Sequence, residues 1–146
     1  MSRPSNPSEP PHYTYYAILK LESLKNTGGY VLASDHIIVR MWHGRVPRDK
    51  AEAYRDFLVR RAVPDYESVK GNLGVEILMR ENDGVVDFLV LSYWESMEAV
   101  KNFAGEDYEK AKYYDEDKNF LLEFEPNVQH YHLTWSSRKF KAESSK

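Results

Sequence analysis

Residues 85–94 form the most distinctive hydrophobic pattern of the chain, because they are apolar at most positions. Successive side chains of a β-strand point to opposite faces of a sheet, so a strand with one wet face alternates apolar and polar residues. Within this segment, residues 88–91 read Phe-Leu-Val-Leu and leave neither face polar. The pattern therefore predicts a strand in a sheet that is covered on both of its faces.

Three more strands are predicted along the rest of the sequence. They are expected at residues 37–43, 75–80 and 128–135, where apolar residues recur with the period of a strand. Gly44 interrupts the first of these patterns and is expected to end that strand, together with Pro47. A Glu-Asn-Asp-Gly sequence directly before residue 85 predicts a hairpin turn between the second and third strands.

Two helices are predicted between these strands. The first is expected to begin near Arg48 and to be stopped or kinked by Pro64. The second is expected to begin after the N-cap residue Ser96 and to end at Gly105, and a further short helix is expected within residues 106–114. The predicted apolar face of the first helix consists of Ala51, Tyr54, Phe57, Leu58 and Ala62.

The resulting order of elements is strand, helix, strand, strand, helix, strand. It is the order of a ferredoxin-like βαββαβ fold, an α+β architecture with one antiparallel sheet and helices on one face. The helix-free face is apolar as well, because Ile37, Val39 and Met41 lie on one side of the first strand and Ile38 and Trp42 on the other. Leaving such a side chain in water forfeits about 1.5–3 kcal/mol. A second copy of the chain is therefore expected to cover this face, giving a homodimer.

The composition excludes several classes of protein. A chain of 146 residues suits one domain with a core of its own. A net charge of −3 with scattered Lys and Arg argues against a nucleic-acid partner. No apolar run is long enough to span a membrane, and the lack of Cys excludes disulfides and thiolate metal sites. These features favour a cytoplasmic protein.

Three regions are expected along the chain. Residues 1–35 are polar and Pro-rich at their start and are predicted to be an N-terminal extension, partly disordered. Residues 36–135 carry the strand and helix patterns and form the folded domain. Residues 136–146 form a polar C-terminal tail that is expected to fray.

Three short sequences within the domain indicate a family. They are Arg-Met-Trp-His-Gly-Arg-Val-Pro at residues 40–47, Leu-Ser-Tyr-Trp-Glu-Ser-Met-Glu-Ala at residues 91–99 and Phe-Leu-Leu-Glu-Phe-Glu-Pro at residues 120–126. In these segments the chain resembles the antibiotic biosynthesis monooxygenase-like (ABM) family of the dimeric α/β-barrel superfamily. The resemblance implies a dimer whose two sheets pack face to face.

The resemblance also implies two kinds of chemistry. One branch of the family oxidises polycyclic phenols to quinones with O2 and no bound cofactor, and another branch binds and degrades haem. The haem-degrading branch has an Asn on its first strand, a Trp on its second helix and a His ligand shortly afterwards. This chain has Phe103 in place of that Trp, Tyr113 in place of that His and no Asn in the first strand, where His43 lies near the expected place. Haem degradation is therefore disfavoured, and no cofactor is expected.

Three histidines are the candidate catalytic residues. His130 and His132 lie two residues apart on one strand and share a face, and His43 ends a strand that is expected beside it. Three imidazoles can hold zinc or iron, but packing and hydrogen bonding at the sheet are the favoured roles, so no metal is expected. The sharper hypothesis is acid–base chemistry, because a cofactor-free oxygenase must remove a phenolic proton and an imidazole suits that task.

Three aromatic residues are the candidates for substrate binding. Trp42 lies beside His43, and Tyr113 and Tyr114 belong to a polar, aromatic segment after the second helix. That segment is either a lid over a pocket or a solvated loop. The simpler alternative for each aromatic residue is core packing.

Two functions remain open at this point. The first is a small cofactor-independent monooxygenase that oxidises an aromatic or quinol-type molecule with O2. The second is a non-catalytic dimeric module that binds a small apolar ligand or only assembles. The first predicts a pocket of roughly several hundred cubic ångströms with a His facing into it. The second predicts that aromatic side chains fill that space.

Overall fold

The computed structural model describes residues 37–140, which form one antiparallel sheet with helices on one side. The strands are β1 (Ile38–Pro47), β2 (Asn72–Asn82), β3 (Val85–Trp94) and β4 (Gln129–His132). The helices are α1 (Ala51–Phe57), α2 (Val63–Ser68) and α3 (Met97–Ala104). The strands follow the order β2-β3-β1-β4 across the sheet. The predicted α+β class and the ferredoxin-like order of elements are confirmed.

The first predicted helix consists of α1, a π-helical turn at Leu58–Ala62 and α2. Of the two alternatives expected for Pro64, a stop or a kink, the stop is wrong, because the helix continues to Ser68. Pro64 lies in the first turn of α2, where its missing N–H disturbs the hydrogen bonding least, and the π-helical turn before it absorbs the change of register. The residues of the predicted apolar face are all buried, namely Ala51, Tyr54, Phe57, Leu58 and Ala62.

Strand β1 continues past Gly44, so the prediction that this glycine ends the strand is wrong. β1 pairs with β3 along its whole length, from Ile38 opposite Trp94 to Pro47 opposite Val85. Gly44 is needed inside the strand because a Cβ atom there would lie 2.3 Å from Cη2 of Trp42. The glycine therefore allows the Trp42 indole to lie close against its own strand.

The boundaries of β3 and α3 follow the predicted turn and cap. In the hairpin before β3, Asp83 has φ 55° and Gly84 has φ 79°, the left-handed conformations that a tight two-residue hairpin turn requires. At the start of α3, the Ser96 hydroxyl accepts a hydrogen bond from the Ala99 N–H at 3.1 Å. Gly105, with φ 89°, ends that helix.

The segment of residues 106–114 is irregular, so the prediction of a short helix there is wrong. Two backbone hydrogen bonds tie it to the strand that returns along the sheet. The Ala111 N–H donates to the Pro126 carbonyl at 2.9 Å, and the Val128 N–H donates to the Glu109 carbonyl at 2.8 Å. We call residues 106–114 the flap, because they cross the helix side of the sheet between α3 and β4.

The two faces of the sheet differ in their cover. The helix side carries the main core, in which Phe88, Val90 and Trp94 of β3 are buried. The opposite face, which we call the open face, carries the other side chains of β1, β2 and β3. Leu78 of β2 lies on this face and is 43% exposed, because residues 37–140 provide no helix that covers it.

The C-terminal segment covers one end of the open face. Strand β4 ends at His132, short of the predicted boundary, and the chain then folds back across the sheet. The ring of Phe140 is 8% exposed and lies 5.4 Å from the ring of Tyr93. Arg138 lies over Tyr93 at 4.8 Å and pairs with Glu76 at 2.8 Å. The expectation of a frayed tail is therefore wrong as far as Phe140.

The N-terminal extension predicted for residues 1–35 lies outside the described residues. Within residues 37–140, no helix is long and apolar enough to cross a lipid bilayer. The cytoplasmic location stays a prediction.

Candidate functional site

The six residues singled out in the sequence do not form one site, because the sheet separates them. His43 points to the open face, whereas its neighbour Trp42 points to the helix side. His130 pairs with Arg40 and His132 with Ile38, so both histidines belong to the helix side as well. The three histidines therefore do not meet, as a shared metal site would require. Among the residues that the structure describes, no three His, Asp or Glu side chains are placed to hold a metal ion.

His43 lies between two carboxylates that the sequence reasoning did not identify. Its Nδ1 is 2.5 Å from Oε2 of Glu125, and its Nε2 is 2.9 Å from Oδ1 of Asp87. Asp87 is supplied by β3, on the same face as His43, and Glu125 by the segment that runs along the edge of β1 towards β4. That segment is fixed by the Leu122 N–H, which donates to the Arg45 carbonyl at 2.9 Å.

The two carboxylates favour the protonated form of His43. Partial burial lowers the pKa of His43, but its hydrogen bonds to Asp87 and Glu125 outweigh that effect, so the net pKa lies above the ordinary 6.5. When both ring nitrogens are protonated, each N–H donates to one carboxylate. Histidine is the side chain whose ordinary pKa lies nearest to physiological pH, so an imidazole in this place is suited to proton exchange.

A concave pocket of about 430 Å³ opens beside His43 on the open face. Its walls are mostly apolar and include Leu78, Met79 and Leu89, while His43, Asp87 and Arg80 supply the polar groups. An apolar hollow with a few convergent polar side chains is the usual form of a small-molecule site. A histidine therefore does face a pocket of the expected size, although it lies on the face away from the helices.

The helix side of the sheet is filled by aromatic rings. Trp42 is 5% exposed and meets the ring of Tyr113 edge-on at 6.1 Å. The Tyr113 hydroxyl donates to the Glu125 carbonyl at 2.5 Å, and the Tyr114 hydroxyl donates to Oδ2 of Asp65 at 2.6 Å. Burial, followed by the charge of Glu125, raises the pKa of Tyr113 to about 12. Within residues 37–140, the cavity between Trp42 and the helices measures only about 20 Å³, the room that one water molecule needs.

His130 contacts a buried arginine that the sequence reasoning also missed. Arg40 of β1 is 1% exposed, and its Nη1 donates to Nε2 of His130 at 3.1 Å. Burial, together with the charge of Arg40, lowers the pKa of His130 to about 4, so this histidine is neutral at pH 7. His132 lies two residues further along β4 and is exposed.

One comparison with known proteins shows a family. A family model described as antibiotic biosynthesis monooxygenase matches residues 37–111, which is more than half of the chain. No curated protein matches the sequence.

Three solved structures are similar to part of the chain. One of a "Putative antibiotic biosynthesis monooxygenase" from Nitrosomonas europaea is 18% identical with a TM-score of 0.50, over 68% of this chain and 92% of that chain. A protein of the same description from Bacillus cereus is 18% identical with a TM-score of 0.48, over 70% and 98% of the two chains. A protein of unknown function from Nitrosomonas europaea is 15% identical with a TM-score of 0.48, over 70% and 93%. At this identity, the first likeness supports the fold alone.

Proposed function

The chain belongs to the antibiotic biosynthesis monooxygenase family, and from that premise we propose that it oxidises a phenolic or quinol-type aromatic molecule with O2 and without a bound cofactor. The observation that carries the proposal is the pocket of about 430 Å³ on the open face, into which His43 points between Asp87 and Glu125. The pocket has the volume and the apolar walls that a small aromatic ring needs.

His43 is the proposed base. The base is the neutral form of His43, which prevails above its raised pKa. With its Nδ1–H donated to Glu125, this form presents Nε2 to the pocket once the substrate hydroxyl has displaced Asp87 from that nitrogen. The phenolic proton moves to Nε2, and the phenolate is left beside an imidazolium whose charge Glu125 balances. The electron-rich ring then reacts with O2. A new C–O bond forms at a ring carbon that carries hydrogen, and the O–O bond breaks. One oxygen atom stays as the new quinone oxygen, and the other leaves as water with the hydrogens that the ring carbon and the phenolic hydroxyl have lost. The substrate itself thus supplies the electrons.

The other two histidines are less suited to this role. The lone pair of Nε2 in His130 already accepts the N–H of Arg40, and its pKa of about 4 makes it a weak base at pH 7. His132 is exposed on the helix side, away from the pocket. Trp42, Tyr113 and Tyr114 do not line the pocket on the open face, so in this proposal the ring of the substrate rests on Leu78 and Leu89 instead.

We also propose that the protein is a homodimer in which the open faces of two copies pack together and enclose the pocket beside His43, so that Leu78 contributes both to the pocket wall and to the contact between the copies. The support is the apolar surface that residues 37–140 leave there, with Leu78 43% exposed. Sedimentation velocity tests this. Leu78→Lys places a charge in the contact between the two copies and is expected to give a monomer. The matched control is Val59→Lys, at a position that is 51% exposed in the π-helical turn on the helix side, and it is expected to leave the dimer intact. A wild-type protein that sediments as a monomer at micromolar concentration contradicts the proposal.

One observation favours the alternative function, a dimeric module that binds an apolar ligand or only assembles. Aromatic rings fill the interior between the sheet and the helices and leave only about 20 Å³ beside Trp42. A protein without turnover needs no further space there. The two functions differ in what they require of His43, since only the monooxygenase needs its proton transfer.

Oxygen uptake with a panel of hydroxylated aromatic compounds decides between them. The monooxygenase predicts stoichiometric O2 consumption with at least one compound, and a loss of roughly 100-fold or more in His43→Gln. The control variant His132→Gln removes an exposed imidazole on the other side of the sheet and is expected to keep the wild-type rate. No O2 consumption across the panel supports the non-catalytic module. Full activity in His43→Gln overturns the assignment of the base.

A further inference from the structure

An unpaired positive charge lines the pocket on the open face. Arg80 of β2 belongs to the pocket wall, together with His43 and Asp87. Its guanidinium makes no hydrogen bond and no ion pair with the residues that the structure describes. Arg45 of β1, on the same face, pairs with Glu123 at 2.6 Å. Arg80 therefore keeps its capacity for pairing free, close to the proposed base.

Asp87 lies between Arg80 and His43. The pairing of β2 with β3 places Arg80 directly opposite Asp87, on the same face of the sheet. Side chains that oppose each other across two strands begin about 5 Å apart at their Cβ atoms, a distance that a long arginine side chain spans easily. Asp87 instead uses its Oδ1 for Nε2 of His43, at 2.9 Å. One carboxylate thus lies within reach of two partners and bonds to one of them.

The proton transfer proposed above requires Asp87 to leave His43. Nε2 can accept the phenolic proton only after the carboxylate has given up its place. The side chain of Asp87 is 23% exposed, so a carboxylate that loses its partner there is not fully hydrated, and the loss is costly. Glu125 keeps its contact with Nδ1 and holds the imidazole in place while Asp87 moves. The displaced carboxylate therefore needs a new partner on the open face.

Arg80 is suited to be that partner. Arg45, the residue opposite Asp87 on the other side, is held by Glu123. The side chain of Arg80 is exposed and not held by packing, and its guanidinium fork can bind both oxygens of a carboxylate. Opposite charges across two strands attract each other only weakly, so the new pair is expected to form when the bond of Asp87 to His43 is contested.

We propose that Arg80 is a positioning residue, which receives Asp87 when a substrate hydroxyl takes the place of that carboxylate on Nε2 of His43. The inference rests on the proposed function, which places a phenolic hydroxyl on His43. Asp87 holds the imidazole in the resting state. In the substrate-bound state it pairs with Arg80 and leaves Nε2 free. Arg80 itself touches neither the phenol nor O2.

Phenol binding to the full-length protein under nitrogen tests the exchange, because no oxidation interferes without O2. NMR signals of the backbone and the imidazoles give the affinity, and the shifts are expected to centre on His43. Arg80→Met removes the partner of the displaced Asp87 and is expected to weaken phenol binding about threefold to fivefold, as for an opposite-charge pair across two strands. Arg80→Lys keeps a cation and is expected to restore most of the affinity. The matched control Arg60→Met removes an exposed arginine from the π-helical turn and is expected to bind phenol as the wild type does.

A second background shows whether Arg80 acts through Asp87. In Asp87→Ala no carboxylate has to move, so the addition of Arg80→Met is expected to leave the affinity for phenol unchanged. An equal loss in both backgrounds overturns the proposal, because Arg80 would then contact the phenol itself. A loss with 4-hydroxybenzoate but not with phenol overturns it as well, since Arg80 would then bind the charge of the ligand.

The outcomes for the exchange and for the oxidation are separate. If phenol binding follows the expected pattern but no compound of the oxygen-uptake panel is oxidised, the exchange stands and the oxidation fails. If compounds are oxidised through His43 while Arg80→Met binds phenol as the wild type does, His43 remains the base and the exchange is overturned. A wild-type protein that does not bind phenol beside His43 also overturns the exchange.

Discussion

Gly44 provides the sharpest test of the packing described above. A Cβ atom at this position would lie 2.3 Å from Cη2 of Trp42 and 2.8 Å from Cδ2 of Leu121. To restore an ordinary contact of 3.4 Å, the indole of Trp42 must move by about 1.1 Å. Trp42 is 5% exposed and contacts Tyr113, so it has little room for that movement.

We expect Gly44→Ala to lower the free energy of unfolding by about 1–2 kcal/mol. Forcing an extra methyl group into a packed core costs typically about 1–3 kcal/mol, and the smaller entropy of the unfolded Ala chain returns about 0.5–1 kcal/mol. The measurement is urea unfolding followed by circular dichroism, with the slope of the transition unchanged.

A second substitution separates this contact from any general effect of Ala in the strand. In a Trp42→Phe background the indole atoms Cη2 and Cζ3 are missing, so the added methyl group of Gly44→Ala meets only Cδ2 of Leu121, the far end of a flexible side chain. The cost of Gly44→Ala is expected to fall below about 1 kcal/mol in that background. An equal cost in both backgrounds refutes the reasoning, because the destabilisation would then not come from the indole.

Three further predictions follow from individual side chains. The pKa of folded His43 lies above 6.5, so its ion pairs stabilise the fold fully below pH 6.5 and less as the pH rises through the folded pKa. The difference in melting temperature between the wild type and His43→Gln should therefore shrink from pH 6 to pH 9. Asp117→Ala leaves the Tyr54 hydroxyl and the Tyr114 N–H without their acceptor and should lower the free energy of unfolding in urea by about 2–4 kcal/mol. The control Asp115→Ala, at an exposed position, should lower it by about 0.5 kcal/mol or less. Phe140→Ala should cost about 1–3 kcal/mol because the ring covers Tyr93, while the exposed Ser137→Ala should be neutral.

The elements that local chemistry defines at both ends could be predicted from the sequence. Strand β3 is one example, since the Asp83-Gly84 turn begins it and the Ser96 cap follows its end. The apolar face of the first helix is another, because a helical period of buried residues needs no knowledge of the neighbouring elements.

The errors in the fold concern residues whose role depends on distant contacts. Gly44 has the composition of a strand end, and only the position of the Trp42 ring shows why a glycine belongs inside β1. Pro64 has the composition of a helix end, yet the π-helical turn before it accommodates the missing N–H. Phe140 lies in a polar tail, and its burial depends on contact with the ring of Tyr93, which lies far from it in the sequence.

The errors in the site concern register. The sequence shows that His130 and His132 share one face of β4. It does not show whether His43 lies on that face, because this depends on how β4 is aligned with β1. The alignment of Arg40 with His130 puts both histidines on the helix side, and a shift by one residue would have put them beside His43. Asp87 was detectable as the one acid in an apolar strand, whereas Glu125 comes from an irregular segment whose path no local pattern predicts.

The two partly buried histidines show why the face of the sheet decides the chemistry. Burial alone lowers the pKa of both, but His43 faces two carboxylates and ends above its ordinary pKa, whereas His130 faces a guanidinium and ends at about 4. At neutral pH, exchangeable charge is therefore concentrated on the open face, and a permanent positive charge lies on the helix side. Proton transfer is thus better served by the open face. Changing the charge beside each histidine should therefore change its pKa in the opposite direction. Arg40→Glu should raise the pKa of His130 above 6.5. The double substitution Asp87→Asn, Glu125→Gln should lower the pKa of His43 below 6.5, and NMR titration measures both pKa values. If either histidine keeps its pKa after its partners have changed, the charges around it do not set its protonation state.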